Sequence, residues 1–215
     1  MSLQKYIDKI PTLFLGDNIP DGIVSKITVD GYGGTVLGAR YLLGLGHRNM
    51  AFLGGRESSV THQNRRKGFL DVMQRAVDVH YELFSVTQGS RIEDGYQTGI
   101  AYFNHCVETG KPYPTAIMTV NDHFALGIIQ AVMEFGIDIP QQMSLIGFDD
   151  ISFASLPKIQ LTTLAQPKEK LCALAMETLM KLMDSKTHEI YNEKIPAELI
   201  RRETCMPPPA KVNGQ

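Results

Sequence analysis

TAIMTVNDHFALGIIQAVMEFGIDIPQQMSLIGFDD, residues 115–150, decides the fold. Its first six residues (115–120) form a short, nearly continuous apolar run. From 122 to 135 the apolar positions Ala125, Ile128, Val132 and Phe135 recur at helical spacing, and MSLIGF (143–148) is a second apolar run. Apolar strand, amphipathic helix of three to four turns, apolar strand is the pattern of a βαβ unit, whose parallel strands are covered on both faces. The alternation extends upstream: strand 50–53, helix about 62–76 (Phe69, Met73, Ala76), strand 81–87, helix about 93–109 (Tyr96, Ile100, Phe103, Val107). Further upstream, Thr12–Leu15 and Lys26–Val29 read as short strands separated by the turn-rich GDNIPDG. Asp30 then stands as N-cap of a helix through Val36, Ala39 or Arg40, and Leu43, which Gly46 would end. Downstream, LTTL (161–164) is a short extended piece, 167–184 an amphipathic helix with Leu171, Ala175, Thr178 and Leu182 in line, and 194–200 a last strand. The expected class is α/β with doubly wound parallel sheet.

Composition narrows the function. The 215 residues are 43% hydrophobic and 20% charged, ordinary globular usage. Lys+Arg 21 against Asp+Glu 23 leaves a net charge of -2, without the cationic field that grips nucleic acid. Cys106, Cys172 and Cys205 are odd in number and form no CxxC pair, which argues against a disulfide scaffold and a structural zinc. No apolar run approaches the length of a bilayer span and the N-terminus carries no signal-peptide core, so a cytoplasmic location with no membrane contact is expected. PPPAKVNGQ (207–215) reads as part of a disordered tail over 206–215. GYGGTVLG (31–38) imitates a dinucleotide loop but has Val36 where the third glycine is required. There is no P-loop, no G-x-S-x-G elbow, no H-E-x-x-H and no histidine pair at ligand spacing. An enzyme is disfavoured; no metal and no cofactor are expected.

Open α/β sheets bind ligands outside the carboxyl ends of their strands. Those ends run into Gly54-Gly55-Arg56-Glu57, Gln88-Gly89-Ser90-Arg91, Asn121-Asp122 and Asp149-Asp150. A rim of amides, carboxylates and guanidiniums suits a polar, hydroxyl-rich small molecule. Asn121 and Asp149 suit a capping role equally well.

Four segments read together resemble the lactose/galactose-repressor family of bacterial transcription regulators: GLGHRNMAFLGG (44–55), RRKGFLDVM (65–73), residues 115–150 as quoted, and LTTLAQPKEKLCALAMETLMKLM (161–183), with RRET (201–204) resembling the family's ending. The resemblance implies a periplasmic-binding-protein-like fold of two subdomains, the N-terminal one incomplete and without the helix-turn-helix. It assigns 10–46 and 162–184 to the N-terminal subdomain and 47–161 and 190–205 to the C-terminal one. Crossovers are then expected near Gly46-His47, Thr162–Gln166 and Ser185–Tyr191.

The implied function is the effector-binding and dimerisation core of a regulator, a homodimer meeting operator DNA only through the missing N-terminal domain. The alternatives are a periplasmic-type sugar-binding transport protein and, further off, a small α/β enzyme. By family position the effector, a sugar or sugar derivative, meets Arg65, Asn121 and Asp149, with Asp30 and Gln166 reaching the cleft from the N-terminal side and Thr61 a weaker match. The aromatic residue that usually stacks on the effector is missing from QGSRIEDG (88–95), where Arg91 stands near that place; a purine is therefore the second choice of ligand. Asp122 suits the N-cap of the following helix, Asp150 a turn, and Arg65 can instead pair with Glu57 or Asp149.

Overall fold

The computed structural model describes residues 7, 9–20, 22–184 and 190–210. In chain order the elements are β1 (Leu13–Leu15), β2 (Ser25–Asp30), α1 (Gly31–Gly44), β3 (Asn49–Leu53), α2 (Val60–Met73), β4 (His80–Phe84) and α3 (Ile92–Thr109), then β5 (Ala116–Thr119), α4 (Asp122–Glu134) and β6 (Ser144–Asp149). A 3-10 turn (Ser152–Ser155), β7 (Thr162–Ala165), α5 (Lys168–Asp184), β8 (Asn192–Pro196) and β9 (Glu198–Ile200) complete it. Two sheets result: a large one in the order β4-β3-β5-β6-β7-β9, and a small one, β1-β2-β8. All pairs are parallel except β7–β9. This is the doubly wound α/β class that the alternation predicts.

The core lies in and around the large sheet. Phe52, Phe69, Phe103, Phe124 and Phe148 are all fully buried there, and each such side chain contributes about 1.5–3 kcal/mol relative to exposure. The helix ends are set locally. Asn121 caps α4 by accepting from the Phe124 amide at 2.9 Å, and Gly110, at φ 65, ends α3 in the left-handed conformation.

Strand pairing divides the chain between the sheets differently from the sequence reading. The first crossing is at Asp30–Gly31, where β2 leaves the small sheet, and not at Gly46-His47. Helix α1 lies along α2 and the large sheet, with Ala39 and Leu42 wholly buried in its core. Its small-residue face permits that approach: a Cβ on Gly38 would meet Met118 Cε at 2.8 Å. The second crossing follows β7, which pairs with β6, so 162–165 belongs to the large sheet and only α5 lies against β1.

The third crossing corrects both the predicted strand 194–200 and the placing of 190–205. Residues 192–196 pair with β2 in the small sheet, and 198–200 pair with β7 in the large one. Pro196, with no N–H to extend the ladder, ends β8, and the buried Ala197 makes the turn. Of the expected crossover 185–191, residues 185–189 lie outside those described.

Two smaller differences follow from hydrogen bonding. The strand predicted over 81–87 stops at Phe84, whose carbonyl accepts from Gly54 N–H as the chain turns away. The tail expected from 206 onward is held at its start. Buried His47 donates through Nε2 to the Met206 carbonyl at 2.9 Å, and Ser144 joins the same network. Residues 211–215 lie outside those described.

Candidate functional site

The carboxyl ends of β5 and β6 bring together Arg65, Asp149 and Gln166. Arg65 reaches them from α2, with Phe69 one turn later fixed in the core. Arg65 is 5% exposed, and its guanidinium donates through Nη1 to the Val120 carbonyl at 2.6 Å and through Nη2 to Asp149 Oδ1 at 2.9 Å. It also lies over the Phe148 ring, 3.6 Å from its centroid, a cation–π contact that helps hold a desolvated cation. Gln166, on the crossing between the sheets, donates from Nε2 to the same Asp149 Oδ1 at 2.7 Å. Both donors fall on Oδ1, so among the described residues Oδ2 receives no hydrogen bond, while the side chain keeps 23% of its exposure. Asp149 has φ 112 and Asp150 φ 51, conformations that are strained for residues with a side chain.

The other expected ligand residues stand nearby in different roles. Asn121 caps α4, and Asp30 caps α1 by accepting from the Gly33 amide at 3.0 Å. The sequence leaves capping and ligand roles equally open for Asn121, and its carboxamide Oδ1 is the capping atom. Thr61 sits half-buried one turn before Arg65. Arg65 pairs with Asp149, not with Glu57.

Asp122 is a correction. It is not the cap of α4 that the sequence suggests; it is completely buried beneath the site. Its Oδ1 accepts from the Thr163 hydroxyl at 2.6 Å and its Oδ2 from the Ile151 amide at 3.0 Å, tying β7 to the chain just past Asp149. Asp150 is no simple turn residue either: its carboxylate pairs with Arg202 at 2.7 Å and its carbonyl accepts from Lys168. Sequence reasoning misses Phe148, Asp122 and Arg202 as site residues. The positive φ of Asp149 breaks the alternation at the end of β6, so that Phe148 and Asp149 both meet Arg65, which no sequence pattern signals.

Burial drives the Asp122 carboxyl up from 3.8 to about 6, against the bonds from Thr163 and Ile151 that favour its ionised form. A carboxyl whose folded pKa is raised contributes full stability below its unfolded pKa and loses it as pH rises through the folded value. An asparagine at this position would mimic the protonated form, with a carboxamide that donates to Thr163 and accepts from Ile151. Denaturant titrations should show Asp122→Asn gaining about 2 kcal/mol on the wild type between pH about 4 and about 6. A difference that does not change across that window would show that Asp122 does not titrate there. The comparison must be a difference, because His62 opposes it. Burial and the guanidiniums of Arg65 and Arg56 push His62 down to about 4, so its contribution is lost as pH falls from about 6.5 toward 4.

Among the described residues no three His, Cys, Asp or Glu side chains cluster as a metal site, and no helix is long and apolar enough to cross a membrane.

The geometry has counterparts. Residues 39–205 match the periplasmic-binding-protein-like domain family. The HTH-type transcriptional repressor PurR of Serratia proteamaculans is 33% identical over 186 residues, 86% of this chain and 51% of that repressor. The chain thus spans about half the length of the curated relatives it matches. Among solved structures, a LacI transcriptional regulator from a Rhodococcus species superposes with a TM-score of 0.83 at 27% identity, covering 95% of this chain and 73% of that one. A LacI family regulator from Enterococcus faecium with bound ribose gives 0.76 at 27% identity, covering 91% and 70%. The chain belongs to the periplasmic-binding-protein-like domain family, in the company of LacI-type transcriptional regulators.

Proposed function

We propose that this chain is the effector-binding region of a LacI-type transcription regulator and takes a polyhydroxy small molecule at the Arg65–Asp149–Gln166 cluster. In this reading it is not an enzyme. It works in the cytoplasm as a homodimer, and operator DNA is engaged by a part of the full-length protein outside this chain. One observation carries the reading. Asp149 is gripped on one carboxylate oxygen by two elements, Arg65 of α2 and Gln166 at a crossing between the sheets, while the other oxygen is left to accept from a ligand. A diol donating to Oδ2 would bind where a crossing segment can register occupancy, and ligand binding can bias the relative placement of the two sheets. The ribose bound by the Enterococcus regulator supports a sugar-sized occupant. Asp30, Asn121 and Thr61 complete the proposed contact set around it.

Calorimetric titration tests this with ribose and galactose as probes. Asp149→Asn keeps the size of the side chain but halves its acceptors, and affinity should fall roughly tenfold to a hundredfold, as for loss of hydrogen bonds to a charged group. Unchanged affinity in Asp149→Asn would remove this residue from the site.

A further inference from the structure

Beside the Arg65–Asp149 contact, the ends of β3 and β4 enclose a hollow of about 200 Å³. Its floor is apolar, made by Phe52, Leu83 and Phe84, and its rim carries Arg56, His62 and Arg66. Arg56 is pinned at the rim by its Nε, which donates to the Gln88 carbonyl at 2.8 Å, so its terminal amino groups have no protein acceptor among the described residues. The Arg66 side chain makes no hydrogen bond or ion pair with any described residue. The one acid at the rim, Glu57, pairs with neither arginine; its backbone carbonyl accepts from the Gln63 side chain.

His62 Nδ1 accepts from the Arg56 amide at 2.9 Å. Its proton is therefore on Nε2, and the neutral ring adds a donor. Burial first, and then the neighbouring guanidiniums of Arg65 and Arg56, keep the ring uncharged.

The hollow adjoins the site already described. A Cβ on Gly55 would lie 3.7 Å from His62 Cβ and 3.8 Å from Val120 Cγ2, and Val120 supplies the carbonyl that Arg65 grips. We propose that this hollow is an anion subsite, built to take the carboxylate or phosphate end of the ligand whose hydroxyls meet Asp149. As far as it concerns the effector, the proposal rests on the function inferred above, and it narrows the effector to an acidic sugar. Arg56 and Arg66 are both exposed at the rim and have no acidic partner among the described residues, so an anion complements this rim better than a neutral group does. An anion there gains charge-assisted hydrogen bonds in a site partly shielded from water.

Two measurements test it, the first independent of any sugar. Resonances of the His62 ring and the Gly55 amide, followed by NMR during titration with inorganic phosphate and separately with acetate, should shift to saturation and more strongly with phosphate. The response should vanish in the Arg56→Gln/Arg66→Gln variant. Shifts that never saturate, or that persist in the variant, would overturn the anion subsite.

The second measurement is calorimetry with ribose, ribose 5-phosphate and gluconate. At least one of the two acidic ligands should bind about tenfold or more tightly than ribose, phosphate or carboxylate according to which wins. The arginine variant should lose that preference and keep its ribose affinity. Equal affinity for all three ligands would sink the acidic-sugar assignment. Failure of every sugar beside an intact phosphate response would count against the effector reading and support a free-standing anion site.

Discussion

Replacing Gly127 by alanine should lower the melting temperature by about 6 to 12 °C, a loss of about 3 kcal/mol or more in a chain of this size. Helices α3 and α4 touch backbone to backbone at this point: a Cβ on Gly127 would collide with the Ile92 carbonyl oxygen and come within 2.5 Å of the Tyr96 nitrogen. No rotamer change relieves a clash with main chain, so the two helices must separate and uncover the aromatic side chains below them. The better helix propensity of alanine, up to about 1 kcal/mol, offsets only part of this. Gly44→Ala is the matched control. That Cβ would meet nothing within 4 Å, so the same change should be neutral to stabilising. Equal melting temperatures for Gly127→Ala and the wild type would mean that the helices do not pack this closely.

The second large effect concerns the ion pair. Asp149→Ala leaves the Arg65 guanidinium buried with only a carbonyl and an aromatic face, and stripping one partner from a buried pair typically costs about 3–5 kcal/mol. The lower end is expected, because the edge of the Asp149 carboxylate is open to water. Arg65→Met in the same background removes the stranded charge and should restore much of the loss. Urea unfolding of the two single variants and the double variant completes the cycle. Strict additivity would show that Arg65 and Asp149 do not depend on each other.

The residues make some of this legible and hide the rest for identifiable reasons. Between Met50 and Phe148 the strands β3, β5 and β6 are short, mostly apolar runs, and only the edge strand β4, with His80 and Glu82, departs from that, so local pattern and tertiary role largely agree. Which sheet a segment joins is a different kind of information. Helix α1 reads like any amphipathic helix, and it takes the close approaches of Gly34 to Phe148 and of Gly38 to Met118 to reveal the sheet it covers. The run 194–200 looks continuous because Pro196 is its only interruption. Family positions single out Arg65, Asp149 and Gln166, and the structure brings all three into contact. Asp122 escapes a local reading because its burial depends on Thr163, a partner 41 residues away that no local pattern reveals.

The pairing of β2 with β8 also dictates when the small sheet can exist. Tyr191 bonds to Ser25 at a sequence separation of 166, and Lys26 faces Asn192 in the ladder. As the polypeptide leaves the ribosome, most of the large sheet's parallel strands are available long before β8 is made. Contacts of such high sequence separation carry the loop-closure cost in full and form slowly. Strands β1 and β2 can pair early, but the small sheet cannot be completed until residues 192–196 are made. Until β8 is made, the edge of β2 that it covers stays open, and a protease arriving during synthesis would find it there.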